Sequence, residues 1–210
     1  MEGLTVFGGL LGLGWGICFG RYQLNRWKLM SRKKMMILSA GSVIIFGAGC
    51  WLMDIYDYHI LKMIRYWLLM YGLLLLAFLD AEKRIIPNQA LLVMTGMRTV
   101  LLAGECICFP ELFFEIVVSA FTGLLGGGFL FLLPEILMKK GIGMGDVKLI
   151  AVMGYYLGFQ VLMSNLIITL TLTVLAGVTA LIIKKASPHS EMPFAPFAAV
   201  GTIITILMGF

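Results

Sequence analysis

RYWLLMYGLLLLAFLD, residues 65–80, decides how this chain is read. Its apolar run is closed by an acid, Asp80, and basic residues follow at Lys83 and Arg84. A second stretch, GDVKLIAVMGYYLGF at residues 145–159, is its mirror image and opens on an acid, Asp146. A carboxylate at the edge of hydrocarbon is costly unless something uses it. The two runs therefore predict membrane helices, and the two acids predict a shared chemical site at one face of the membrane.

Composition widens that reading to the whole chain. Of 210 residues, 60% are hydrophobic and 13% charged, and the mean hydropathy is +0.99. Soluble domains are roughly half apolar and a quarter charged, so the solvent here is lipid. The net charge of +5 is no nucleic-acid signature, because the positive residues cluster beside apolar runs, where they set orientation. Cys18, Cys50, Cys106 and Cys108 lie within or at the edge of apolar segments and form no CxxC pair. They are expected to be small buried hydrophobes, not a zinc or redox motif.

The hydropathy pattern predicts an all-α, polytopic transmembrane bundle of about eight spans, near 4–20, 35–53, 62–80, 89–108, 111–138, 146–160, 162–183 and 194–210. The fifth is long enough to tilt, or to break near Gly126-Gly127-Gly128, and the sixth is short. A seven-span version that fuses or drops one span competes with this reading. Glu2 precedes the first span and a basic cluster follows it, the reverse of a secretory signal. Both termini are therefore expected outside. With that orientation every Lys and Arg except Lys62, Arg65 and Arg98 falls on or beside the cytoplasmic loops. Asp80 and Asp146 then share the cytoplasmic face. Span 1 repeats glycine at 8, 12, 16 and 20, a face suited to close packing against another span or another copy of the chain. Two regions are expected: residues 1–59, with two helices and the basic loop 21–34, and residues 60–210, a helical core.

Either acid alone reads as a helix cap or an interfacial anchor. Together, on one face and each in its own unusual loop, they read as a pair able to share a proton, activate water and protonate a leaving amine. Asp80 is followed by AEKRIIPN, where Pro87 ends any helix and turns the chain back. Asp146 follows Gly141, Gly143 and Gly145, which either shape a tight turn or leave room for an extended peptide. Helix dipoles favour an anion at Asp146, at a helix start, and a proton on Asp80, at a helix end. Arg98, inside span 4, should turn into the bundle toward Glu105 or Glu115. No Walker A, HExxH or GxSxG pattern is present, and no cofactor or metal is expected. A transporter would want acids nearer mid-bilayer, and these lie at the edge.

On these residues the chain resembles the type IV prepilin peptidases, within the GxGD intramembrane aspartyl proteases. Asp80 with Ile86-Pro87-Asn88, the stretch GMGDVKL at 143–149, and Met192-Pro193-Phe194-Ala195-Pro196-Phe197 with Gly201 carry the resemblance. It implies a six-helix peptidase core over residues 60–210, with Asp80 and Asp146 catalytic. Gly141, Gly143, Gly145, Glu82, Lys148, Pro193 and Pro196 are expected to shape the site or bind substrate. The implied partners are prepilin or pseudopilin precursors with a short basic leader, met at the cytoplasmic face of a prokaryotic inner membrane. Other GxGD proteases carry tyrosine before the first aspartate, where this chain has Leu79. Two departures stand out. Residues 21–34 lack the cysteine pairs that accompany N-methylation in many relatives, and Ala195 stands where those relatives have glycine.

Overall fold

The computed structural model describes residues 55–138, 143–183 and 192–209, with single positions at 43, 47, 49 and 51. The chain divides into two compact units, Met1–Met63 with Gly209, and Ile64–Met208 with Phe210. The expected spans 4–20 and 35–53, the basic segment 21–34 and Gly141 lie outside the described residues, apart from helical positions 43, 47, 49 and 51. Among the described residues every regular element is helical. The order is α1 (Ile60–Lys83), α2 (Asn88–Cys108), a 3-10 turn (Pro110–Leu112), α3 (Phe113–Met138), α4 (Met144–Leu157), α5 (Phe159–Ile182) and α6 (Ala195–Leu207).

Four helices are long and apolar enough to cross a bilayer: α1, α2, the 3-10 turn continued through α3, and α5. The spans expected at 146–160 and 194–210 form shorter helices of 14 and 13 residues. At 1.5 Å per residue these are about 20 Å long, short of a hydrocarbon core of about 30 Å. For α4 the reason is packing. From Leu149 to Leu157 it is buried on nearly every side, so its apolar character answers to other helices and not to lipid. α3 approaches it at a pair of glycines. A Cβ on Gly123 would run into the Gly154 carbonyl, and one on Gly154 into the Gly123 carbonyl. Only backbones without side chains come this close. The expected break near Gly126–Gly128 does not occur: α3 runs unbroken from Phe113 to Met138, past Pro134.

Turns follow from local chemistry. α1 ends where Arg84 takes a left-handed backbone (φ 53) and donates its N–H to the Asp80 carbonyl at 2.8 Å. Pro87, extended at φ −71 and ψ 125, precedes the first residue of α2. Between α4 and α5 the chain reverses on Gly158 alone, at φ 78, a conformation that side chains disfavour. Any Cβ there would also meet the Ser119 hydroxyl.

Leu69, Leu73 and Leu76 of α1 are fully buried. Leu92, Val100, Phe114, Leu125 and Ile182 on the longer helices are more than two-thirds exposed, as an apolar solvent requires. α5 and α6 are joined by buried Asn165, whose amide donates to the Thr202 and Thr205 hydroxyls at 3.0 and 3.1 Å. Arg98 is 1% exposed and pairs with Glu105 at 3.0 Å. Its Nε also donates to the Tyr155 carbonyl at 3.0 Å. Glu115, the other expected partner, is exposed. The cysteine expectation holds in part. Cys106 packs against Leu102, Ala120 and Tyr155, but Cys108 is exposed. Two residues along a helix are about 200° apart, which carries it to another face.

Candidate active site

Asp80 lies in the last turn of α1 and is 6% exposed. Its Oδ2 accepts the N–H of Ala195 at 3.0 Å. Ala195 is the first residue of α6, so this is one of the donors that a helix start leaves open. Asp80 thus sits against the N-terminus of a second helix, a position suited to negative charge. Local sequence selects that donor. Pro196, at the second position of α6, has no N–H to offer, and neither has Pro193. Phe194 precedes the helix, and its ring lies 6.2 Å from that of Phe131 on α3.

Asp146 occupies the first turn of α4, beyond the four membrane-competent helices. Its N–H donates to the Gly143 carbonyl at 2.9 Å, and Gly143 is extended at φ −66 and ψ 137. The carboxyl is half-buried and its pKa is pushed up to about 6. Burial is the largest cause and the charge of Asp80 the second, while a backbone hydrogen bond at Gly143 pulls the other way. The two acids therefore lie at the same end of the bundle, each within the field of the other. Helix dipoles favoured an anion at Asp146, whereas burial and the Asp80 charge push that carboxyl toward its protonated form.

Two flanking stretches dock together at this end. A Cβ on Gly145 would stand 3.2 Å from the Cβ of Ile86, so the glycine lets the α4 start lie against the turn after Asp80. Lys148 Nζ donates to Asn88 Oδ1 at 3.0 Å, tying α4 to the first residue of α2. Lys148, read from sequence as a topology anchor or a lining residue, acts here as a link. Glu82 is half-buried in the last turn of α1, two residues beyond Asp80. The Ala195 amide was not anticipated. A main-chain donor leaves no side-chain signature, and its only trace is the pair of prolines on either side. The Lys148–Asn88 link was missed because its partners are 60 residues apart.

The site can be compared with known proteins. Residues 67–182 match the model of the Type IV leader peptidase family. The chain is 31% identical over 140 residues to a prepilin leader peptidase/N-methyltransferase of Bacillus subtilis, covering 65% of this chain and 52% of that protein. Over 142 residues it is 28% identical to the protein of the same name in Pseudomonas aeruginosa, covering 68% and 48%. The Pseudomonas putida protein is 30% identical over 145 residues, covering 67% and 48%. The chain spans about half the length of the curated relatives it matches. No solved structure matches it.

Proposed function

Given that this chain belongs to the type IV leader peptidase family, we propose that it is a membrane-embedded aspartyl endopeptidase that removes the short basic leader of prepilin-like precursors. The observation that carries this reading is the meeting of Asp80 and Asp146 at one end of the bundle, close enough for one charge to raise the pKa of the other. Like charges so placed share a proton instead of both ionising.

The chemistry follows from that sharing. Asp80, held by the Ala195 amide, takes a proton from water as the water oxygen bonds to the scissile carbonyl carbon. Asp146 carries the shared proton and donates it toward the carbonyl oxygen. A tetrahedral diol forms, and its C–N bond breaks as Asp80 passes its proton to the leaving nitrogen and Asp146 regains a proton from a diol hydroxyl. The acids titrate as a unit, so these roles describe the favoured arrangement of a coupled pair. Gly143, which is exposed, leaves room beside Asp146 for an extended segment. A precursor's apolar stem would lie in the bilayer, with its basic leader at the membrane surface. The arrangement that fits keeps the short α4 and α6 within the bundle and puts the acids at the cytoplasmic face of an inner membrane. The chain has no CxxC pair, so leader cleavage without methyl transfer is the activity we assign.

Co-expression with a candidate prepilin, followed by gel analysis, tests the reading. The shortened pilin should appear with the wild-type chain and be lost with Asp80→Ala and with Asp146→Ala. General acid–base groups contribute about 10²–10⁴-fold in rate, so each single change should remove visible processing. Processing that survives either change would overturn the assignment.

A further inference from the structure

Arg65, Arg98 and Glu105 play no part in the chemistry above, yet they form the largest charged cluster in the described interior. Glu105 bridges both guanidiniums, at 3.3 Å to Arg65 and 3.0 Å to Arg98. Arg65 precedes Asp80 by fifteen residues on α1, about 22 Å along the axis, so the cluster lies toward the opposite end of the bundle. Beside it is a cavity of about 210 Å³, whose lining includes Arg65, Arg98, Glu115, Ser119, Tyr155 and Gly158. That is room for several waters at ~30 Å³ each, or for one tetrahedral oxyanion.

Charge and hydrogen bonding select between these contents. Two cations share one buried carboxylate, which leaves an excess positive charge where solvation is poor. Glu115, at the cavity, is exposed, so water screens it. Arg65 Nε is buried and has no acceptor among the described residues, an arrangement that is costly if nothing fills it. Guanidinium forks match phosphate oxygens, and the Ser119 hydroxyl adds a donor. The cavity gathers Arg65 in the second turn of α1, Arg98 in the middle of α2, the first two turns of α3 and the α4–α5 turn. If α3 crosses a bilayer, its first turns lie near the depth of the headgroups. We propose that this cavity binds a phosphate-class oxyanion, either the headgroup of an anionic phospholipid or free phosphate.

The test uses the full chain purified in a neutral detergent, titrated separately with phosphatidylglycerol and with inorganic phosphate, with sodium chloride at matched ionic strength as control. Native mass spectrometry and the thermal midpoint report binding. The expected result is one saturable equivalent per chain that raises the midpoint, weakened about tenfold or more by Arg65→Gln. Arg84→Gln, at the far end, should bind as the wild type does, and so should Asp80→Ala, which separates this proposal from the peptidase reading. Saturation by phosphatidylglycerol alone assigns the lipid, and saturation by phosphate assigns the free ion. The proposal is overturned if neither probe saturates the wild type, or if Arg65→Gln binds equally well. Should Arg65→Gln fail to fold, Arg65→Lys keeps the charge without the fork and should still bind more weakly.

Discussion

Asp80 and Asp146 each have a main-chain hydrogen bond, and on Asp146 burial and the charge of Asp80 outweigh it. That balance bears on both activity and stability. If the proton sits on Asp146, kcat/KM should fall with a slope of −1 on a log scale as pH rises through about 6, the value at which that carboxyl loses its proton. A pH–rate profile with its alkaline limb two units higher would reject the assignment. The stability argument has the opposite sign from the usual carboxylate case. The folded pKa lies above the ordinary aspartate value of 3.8, so the folded state binds the proton more tightly than the unfolded one. The contribution is full below about 4 and is lost as pH rises through about 6. Asp146→Asn should therefore raise the unfolding midpoint at pH 8 and change it little at pH 4, which thermal melts in detergent would check. Both acids were legible in the sequence because charge beside hydrocarbon is rare. The contact that holds Asp80 was not, because it comes from a helix that begins at residue 195.

Between elements, the described unit is held by backbone approach and a few polar links. Gly123 and Gly154 meet carbonyl to Cα, with no flexible side chain able to give way. Gly154→Ala should destabilise by at least ~1–3 kcal/mol, the usual cost of overpacking. Gly96→Ala, where nothing lies within 4 Å, should be neutral or stabilising by up to ~1 kcal/mol. Thermal melts of the two variants would separate a glycine needed for contact from one that is not. The Lys148–Asn88 bond fixes α4 against the start of α2. Lys148→Met and Asn88→Ala should each slow cleavage several-fold, and the double variant should be no slower than the worse single one. Additive losses in a double-mutant cycle would show that the pair does not act together. The helices after residue 60 were readable to within about three residues from hydropathy alone. The role of α4 was not: an all-round apolar segment looks the same whether lipid or protein surrounds it. The triple glycine in α3 left tilt and break both open for a related reason, since pattern cannot tell a break from a packing face.

Over the described unit, charge is sorted to the two ends of the bundle, with an acid pair at one and an arginine-rich cluster at the other. The sequence marked Arg98 and its acid partner because such residues within a span must face inward. It carried no sign of Arg65 as the third member or of the hollow beside them, because an empty volume has no residue of its own. The link between Asp80 and α6 also has a temporal meaning. The carboxyl and the amide that holds it are separated by 115 positions along the chain. A ribosome completes both acids well before it reaches Ala195. A nascent chain stopped anywhere short of that residue would carry the two acids in an unclamped state, so any activity that needs the clamp should appear only after α6 docks.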